Sequence, residues 1–227
     1  MAVRASGGPL MLIYYGHPFS SYTWKALIAL YEKELPFDYR VIGPDTPQHG
    51  DELRAHWPVG KFPLLVDGDT ALFEASIIIE HLDALAPEPR LIPADRDAAL
   101  RVRLLDRIFD NHVMTPMQEV VADALRGPEH HLQIIVDKAK ESLETVYRWL
   151  DAELAGGGWA TPHGFTLADC AAAPSLFYAD WVHEIAPAYA NLRAYRARLL
   201  AHPSVRRCVE DARPYRPFFP LGAPDRD

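Results

Sequence analysis

Cysteine is scarce in this 227-residue chain, which carries only Cys170 and Cys208, far apart and without the paired spacing of a metal knuckle. Two isolated thiols exclude a disulfide-stapled scaffold and a cysteine zinc site, and buried free thiols are the expected state. Long apolar runs are missing too. No window approaches the roughly 20 consecutive apolar residues that a membrane-spanning helix needs. The first ten residues also lack the apolar run of a secretory signal, so a cytoplasmic protein with no membrane partner is expected. Positive charge is in deficit, with 23 Lys and Arg against 31 Asp and Glu and a formal net charge of -8. Such a balance repels phosphate backbones, and the only weakly basic stretch is Arg193 to Arg207, so nucleic acid is not an expected partner. The ten histidines include the adjacent pair His130 and His131, yet none forms His-Glu-x-x-His, and no metal is expected.

What is present is a large apolar fraction, 49%, enough for one large core or two ordinary ones. Residues 1–9, with Ser6, Gly7, Gly8 and Pro9, read as a flexible leader. Leu10 to Tyr15 is a continuous apolar run bounded by Gly16-His17-Pro18, the pattern of a buried strand. From Ser20 to Tyr31 apolar residues recur at helical spacing, and Pro36 bounds that segment. Phe37 to Ile42 reads as a second strand and Gly43 to Gly50 as loop. Phe62 to Val66 and Thr70 to Phe73 flank Asp67-Gly68-Asp69, a hairpin signal. Glu74 to Ala86 is helical, with Ile78, Leu82 and Leu85 on one face.

After Pro87, Pro89 and Pro93 the strand pattern stops. Asp95 to Arg126, Glu129 to Leu154, Thr166 to His183 and Asn191 to Asp211 all read as helices. The expected organisation is a mixed α/β domain over 10–86, a linker over 87–94 and an all-helical domain over 95–227.

Three constellations in the first domain can carry chemistry. Ser20 and Ser21 sit where a strand hands over to a helix. A serine there can cap the helix, or its hydroxyl can donate to an anion with the helix dipole assisting. Lys61-Phe62-Pro63-Leu64 opens a strand on a proline, which cannot donate to the ladder. Were the Phe62–Pro63 bond cis, the Phe62 backbone would turn out to meet an extended peptide; a trans edge proline is the alternative. Glu74-Ala75-Ser76 opens a helix directly after a strand. Glu74 there complements the helix dipole or pairs with an ammonium while neighbouring N–H groups hold a carboxylate, the two charges an α-amino acid end presents together.

Taken together, the strand-to-helix serine, Gly60-Lys61-Phe62-Pro63 and LFEASIIIEHLD (Leu72 to Asp83) resemble the N-terminal domain of glutathione S-transferases. GFTLAD (Gly164 to Asp169) and NLRAYRARLLAHPSV (Asn191 to Val205) resemble segments of their helical domain. The likeness spans roughly residues 10 to 211. It implies a thioredoxin-like domain followed by an all-α bundle, with glutathione as co-substrate and a homodimeric assembly. Thr166 and Asp169 also make a capping box on their own terms, a structural role.

By that resemblance Ser20 matches the hydroxyl that stabilises the glutathione thiolate in serine-type members, with Ser21 the near alternative. Phe62 matches the residue whose backbone meets the cysteinyl unit, and Pro63 the family's cis-proline. Glu74 and Ala75 match the acidic-serine pair at the γ-glutamyl end, with Ser76 a substitute donor because Ala75 lacks the usual hydroxyl. Gln48, His49 and Lys61 are placed near the glycyl carboxylate. Phe109, His112, Val113 and Trp181 are the family positions for a hydrophobic electrophile, and core packing is their alternative role. Ser20-Ser21-Tyr22-Thr23-Trp24 also resembles the SSCSW element of the zeta class, which implies a glutathione-dependent isomerase; Tyr22 stands where that class has cysteine. A non-catalytic binding protein on the same fold is the remaining alternative.

A serine suffices energetically. Making a thiol of pKa about 8.5 largely anionic near neutrality takes about two pKa units, or roughly 2.7 kcal/mol. One hydrogen bond to the anion, about 1.5–3 kcal/mol, and a helix dipole of about 0.3–1 kcal/mol supply it without a general base.

Overall fold

The computed structural model describes residues 11–227, and the expected leader over 1–9 lies outside the described residues. The chain divides into two compact units, one ending at Leu91 and one covering Ile92–Asp227.

The first unit runs β1 (Leu12–Gly16), α1 (Ser21–Glu32), β2 (Phe37–Val41), α2 (Pro47–His56), β3 (Leu64–Asp67), β4 (Thr70–Phe73) and α3 (Ala75–Leu85). The sheet order is β2-β1-β3-β4, with β1 and β2 parallel and the other two pairs antiparallel. This is the expected thioredoxin-like arrangement. Side chains alternate across the sheet. Tyr14 points toward α1, its hydroxyl donating to Thr23 O at 2.7 Å. Tyr15, Leu64 and Val66 point the other way and bury Leu53 of α2. On the first face α1 contributes Trp24, Leu27, Ile28 and Leu30, and α3 contributes Ile78, Ile79 and Leu82, all buried. Each such side chain is worth about 1.5–3 kcal/mol of burial. The segment expected to be loop as far as Gly50 becomes helical earlier: Pro47 takes the first helical position, where its missing N–H costs nothing, and α2 starts there.

Lys33 closes this unit. Its ammonium, fully buried, donates to Asp83 Oδ1 at 2.6 Å, to Ala86 O at 2.8 Å and to Pro89 O at 2.5 Å. Asp83 Oδ1 in turn accepts from Leu91 N at 2.7 Å. The end of α1 thereby holds the segment that follows α3.

The second unit contains α4 (Arg96–Ile108), α5 (Thr115–Ala124), α6 (Gln133–Glu153), α7 (Leu167–Val182), α8 (Ala190–Ala201) and α9 (Pro203–Ala212). Its centre is α7, every residue of which is buried. Two of the expected long helices are broken, each at a proline. The stretch expected as one helix over Asp95 to Arg126 passes through a π-helical segment, Phe109–Met114. Pro116 cannot donate to the ladder, and just before it Thr115 N–H reaches back five residues to Asp110 O. The helix expected over Asn191 to Asp211 is two helices. Pro203 drives His202 out of the helical region to φ -70°, ψ 134°, which ends α8 and caps α9. Likewise Glu129 to His131 are not part of α6, which begins only at Gln133 after a short 3-10 turn over Pro128–His130.

The capping box forms as expected at the start of α7. Asp169 Oδ2 accepts from Thr166 N and Thr166 Oγ1, both at 2.9 Å. Its Oδ1 accepts from Tyr195 OH at 2.7 Å and Ala160 N at 2.9 Å, which ties α8 and the preceding loop to the same carboxylate. Cys170 and Cys208 are both buried, and neither is in a disulfide.

Candidate functional site

Strand register decides what can meet. Gly16 pairs with Val41, Tyr15 with Leu64, and Leu64 with Phe73. The carboxyl ends of β1, β2 and β4 and the amino end of β3 therefore share one end of the sheet. From that end leave the segment to Ser20 and Ser21, the segment to His49 in α2, the turn through Lys61, Phe62 and Pro63, and Glu74, Ala75 and Ser76 at the head of α3.

Ser20 is the N-cap of α1, in extended conformation at φ -96°, ψ 126°, and its Oγ accepts from Thr23 N at 3.3 Å. The capping role and the anion role are compatible, because capping uses an oxygen lone pair and leaves the hydroxyl proton to donate. Ser20 is half-buried, whereas Ser21 is turned into the unit with 6% exposure. The approach to Ser20 is tightly held. His17 N donates to Thr23 Oγ1 at 3.2 Å, Phe19 N to His17 Nδ1 at 3.0 Å and the Trp24 indole to Pro18 O at 2.5 Å. Burial lowers the His17 pKa, which favours the neutral ring that accepts the Phe19 N–H. Gly16 is required by close approach: a Cβ there would lie 2.6 Å from Thr23 Cγ2. Gly16, Thr23 and Trp24 are the supporting residues that sequence reasoning missed; only the glycine ending a strand signalled one of them.

The Phe62–Pro63 peptide is cis. Phe62 is half-buried, against the apolar cluster of Tyr15, Leu53, Leu64 and Val66, and Lys61 is exposed. Trp57 and Phe73 stack beside this cluster with ring centroids 4.0 Å apart. His49 Nδ1 lies 2.9 Å from Val41 O. A carbonyl only accepts, so Nδ1 is the donor in this contact.

Glu74 stands at φ 71°, ψ 113°, one of two non-glycine residues with positive φ among those described. Left-handed backbone on a side-chain-bearing residue costs about 1–3 kcal/mol and collects at ligand sites. Its carbonyl accepts the first helical bond of α3, from Ile78 N at 3.0 Å. The N–H groups of Ala75 and Ser76 thus fall ahead of the helical ladder. Ala75 is buried and Ser76 half-buried, and the Ser76 hydroxyl accepts from Lys25 Nζ at 2.8 Å.

In the helical unit the four electrophile candidates differ in their surroundings. Phe109 and Val113 are fully buried, Phe109 stacking on Tyr195. Trp181 is covered by Phe219, ring centroids 5.1 Å apart, and by the Arg216 guanidinium 5.2 Å from its ring. Within this unit these three side chains are packed against neighbours. His112 lines a groove of about 1120 Å³ together with Asn111, Lys138, Glu141 and Trp149. Among the described residues no group of three or more His, Cys, Asp or Glu side chains is arranged to hold a metal ion. No helix among them is long and apolar enough to cross a membrane.

Residues 15–90 match the family model described as glutathione S-transferase, N-terminal domain, and residues 122–198 match the glutathione S-transferase C-terminal domain. The chain belongs to the glutathione S-transferase family. It is 28% identical over 205 residues to glutathione S-transferase GstB of Escherichia coli, covering 88% of this chain and 98% of that protein. It is 26% identical over 220 residues to a protein of Vibrio cholerae described as probable maleylacetoacetate isomerase, covering 90% and 98%. Among solved structures, a glutathione S-transferase from Methylobacillus flagellatus with glutathione bound superposes with TM-score 0.77 at 25% identity, over 88% of this chain and 98% of that one.

Proposed function

We propose that this chain is a serine-type glutathione transferase in which the Ser20 hydroxyl donates to the sulfur of bound glutathione and stabilises its thiolate. The thiol proton leaves to solvent, and the sulfur anion attacks a hydrophobic electrophile or reduces a peroxide. One observation carries the reading: Ser20 caps α1 through its oxygen, so its proton stays available at a helix N-terminus. The cis Phe62–Pro63 peptide supports main-chain pairing of Phe62 with the cysteinyl unit. The head of α3, with Glu74, Ala75 and Ser76, takes the γ-glutamyl end. At the glycyl end Lys61 is the better donor, since it is exposed while His49 Nδ1 is engaged with Val41 O.

A second reading, a glutathione-dependent isomerase, is favoured by the relatives described as maleylacetoacetate isomerases. Parallel assays separate the two. The transferase reading expects glutathione-dependent conjugation of a chlorinated nitroarene, and it fails if glutathione binds without conjugation. Turnover confined to cis–trans isomerisation of maleylacetoacetate selects the isomerase, and binding with neither activity selects a binding protein.

A further inference from the structure

Lys25 is the one lysine of α1, five residues beyond Ser20, and it is completely buried. A lysine inside a helix that otherwise buries Trp24, Ala26, Leu27 and Ile28 is unusual enough to need a reason. Its ammonium crosses to the next helix and donates to Ser76 Oγ at 2.8 Å. Ser76 is the residue after Ala75, in the first turn of α3, and is half-buried.

The chemistry of this pair is directional. An ammonium has donors and no acceptor, so the Ser76 oxygen must receive and the Ser76 proton must point elsewhere. A hydroxyl that accepts from a cation is also a stronger donor, because hydrogen bonds in a chain polarise one another. Lys25 itself is buried away from solvent.

We propose that Lys25 is a positioning residue for the γ-glutamyl carboxylate, acting through Ser76, and that the pair replaces the hydroxyl missing at Ala75. The inference rests on the glutathione reading above. It also gives α1 two functions: its N-cap serves the sulfur and its second turn serves the far end of the same tripeptide.

The test is calorimetric binding of glutathione and of cysteinylglycine, which lacks the γ-glutamyl unit, to the full chain and to Ser76→Ala, Lys25→Met and the double variant. Each single variant is expected to weaken glutathione about tenfold or more, the loss of one hydrogen bond to a charged group. Cysteinylglycine affinity and the thiolate pKa of the glutathione complex should stay unchanged. The double variant should be no weaker than the worse single one, since the two side chains act in series. Should Lys25→Met fail to fold, Lys25→Gln, which removes the charge and keeps a donor of similar length, carries the same expectation and the same overturning result. Unchanged glutathione affinity in the variants, or equal loss for both ligands, overturns the assignment while leaving the glutathione reading intact. Absence of glutathione binding by the unmodified chain overturns both.

Discussion

At the scale of single residues, the site is built from groups whose two roles coincide. Ser20 caps its helix through the oxygen, and the thiolate-donor role proposed for it uses the same conformation, which is why the same serine supports either reading when only the sequence is considered. Its neighbour Gly16 is different, since it contributes nothing but space. Gly16→Ala pushes a Cβ to 2.6 Å from Thr23, whose Oγ1 also receives the His17 N–H. The expected outcome is displacement of the His17 to Ser20 segment, read as a loss of conjugation activity larger than the loss of thermal stability. Full activity with an unchanged melting temperature would contradict the close-approach argument. The candidate site was legible wherever local chemistry marks it: a serine after a strand, a proline opening one, an acidic residue heading a helix. Lys25 was not legible, because a lysine in a helical stretch ordinarily faces water, and its burial follows from where α3 packs.

Helices and strands were legible from periodicity, and their ends much less so. Apolar spacing continues with little phase change through Pro203 and across the π-helical segment before Pro116, so residues 191–211 and 95–126 each read as one helix. The breaks come from backbone sterics that a hydrophobic pattern does not register. Contacts between elements were invisible altogether. Lys33 joins α1 to Asp83 of α3 and to two carbonyls beyond it, and removing one partner of a buried pair costs about 3–5 kcal/mol. Lys33→Met should therefore lower unfolding free energy by that order in urea titration, with partial recovery in Lys33→Met/Asp83→Leu. A loss under about 1 kcal/mol would show the clamp to be dispensable. A second tie joins α6 to the segment between α7 and α8. Glu144 accepts from Tyr189 OH and lies 3.0 Å from His183 Nε2, and these hydrogen bonds lower its pKa below the ordinary carboxylate range. A lowered folded pKa stabilises above the unfolded value, and that stability is lost as pH falls through the folded one. The stability difference between the unmodified chain and Glu144→Gln should narrow on acidification; a gap constant with pH would contradict this.

For the whole molecule, a homodimer is proposed, and α4 offers a face that suits one. Leu100 and Leu104, one turn apart, are 62% and 48% exposed in the single chain. Twofold pairing is the commonest closed assembly, and burying such a stripe is a usual reason for it. Sedimentation equilibrium at low micromolar concentration should give a species near twice the 25.5 kDa chain mass, reduced to the monomer by Leu100→Glu/Leu104→Glu. A monomer in the unmodified chain would remove the interface from the account. The central claim, thiolate stabilisation by Ser20, is tested most directly by ultraviolet titration of the glutathione complex. The unmodified protein should hold the thiolate near neutral pH. Ser20→Ala should still bind glutathione, with the thiol pKa raised by about one to two units, the worth of one hydrogen bond to the anion. Equal thiol pKa values in the two proteins would contradict the assignment.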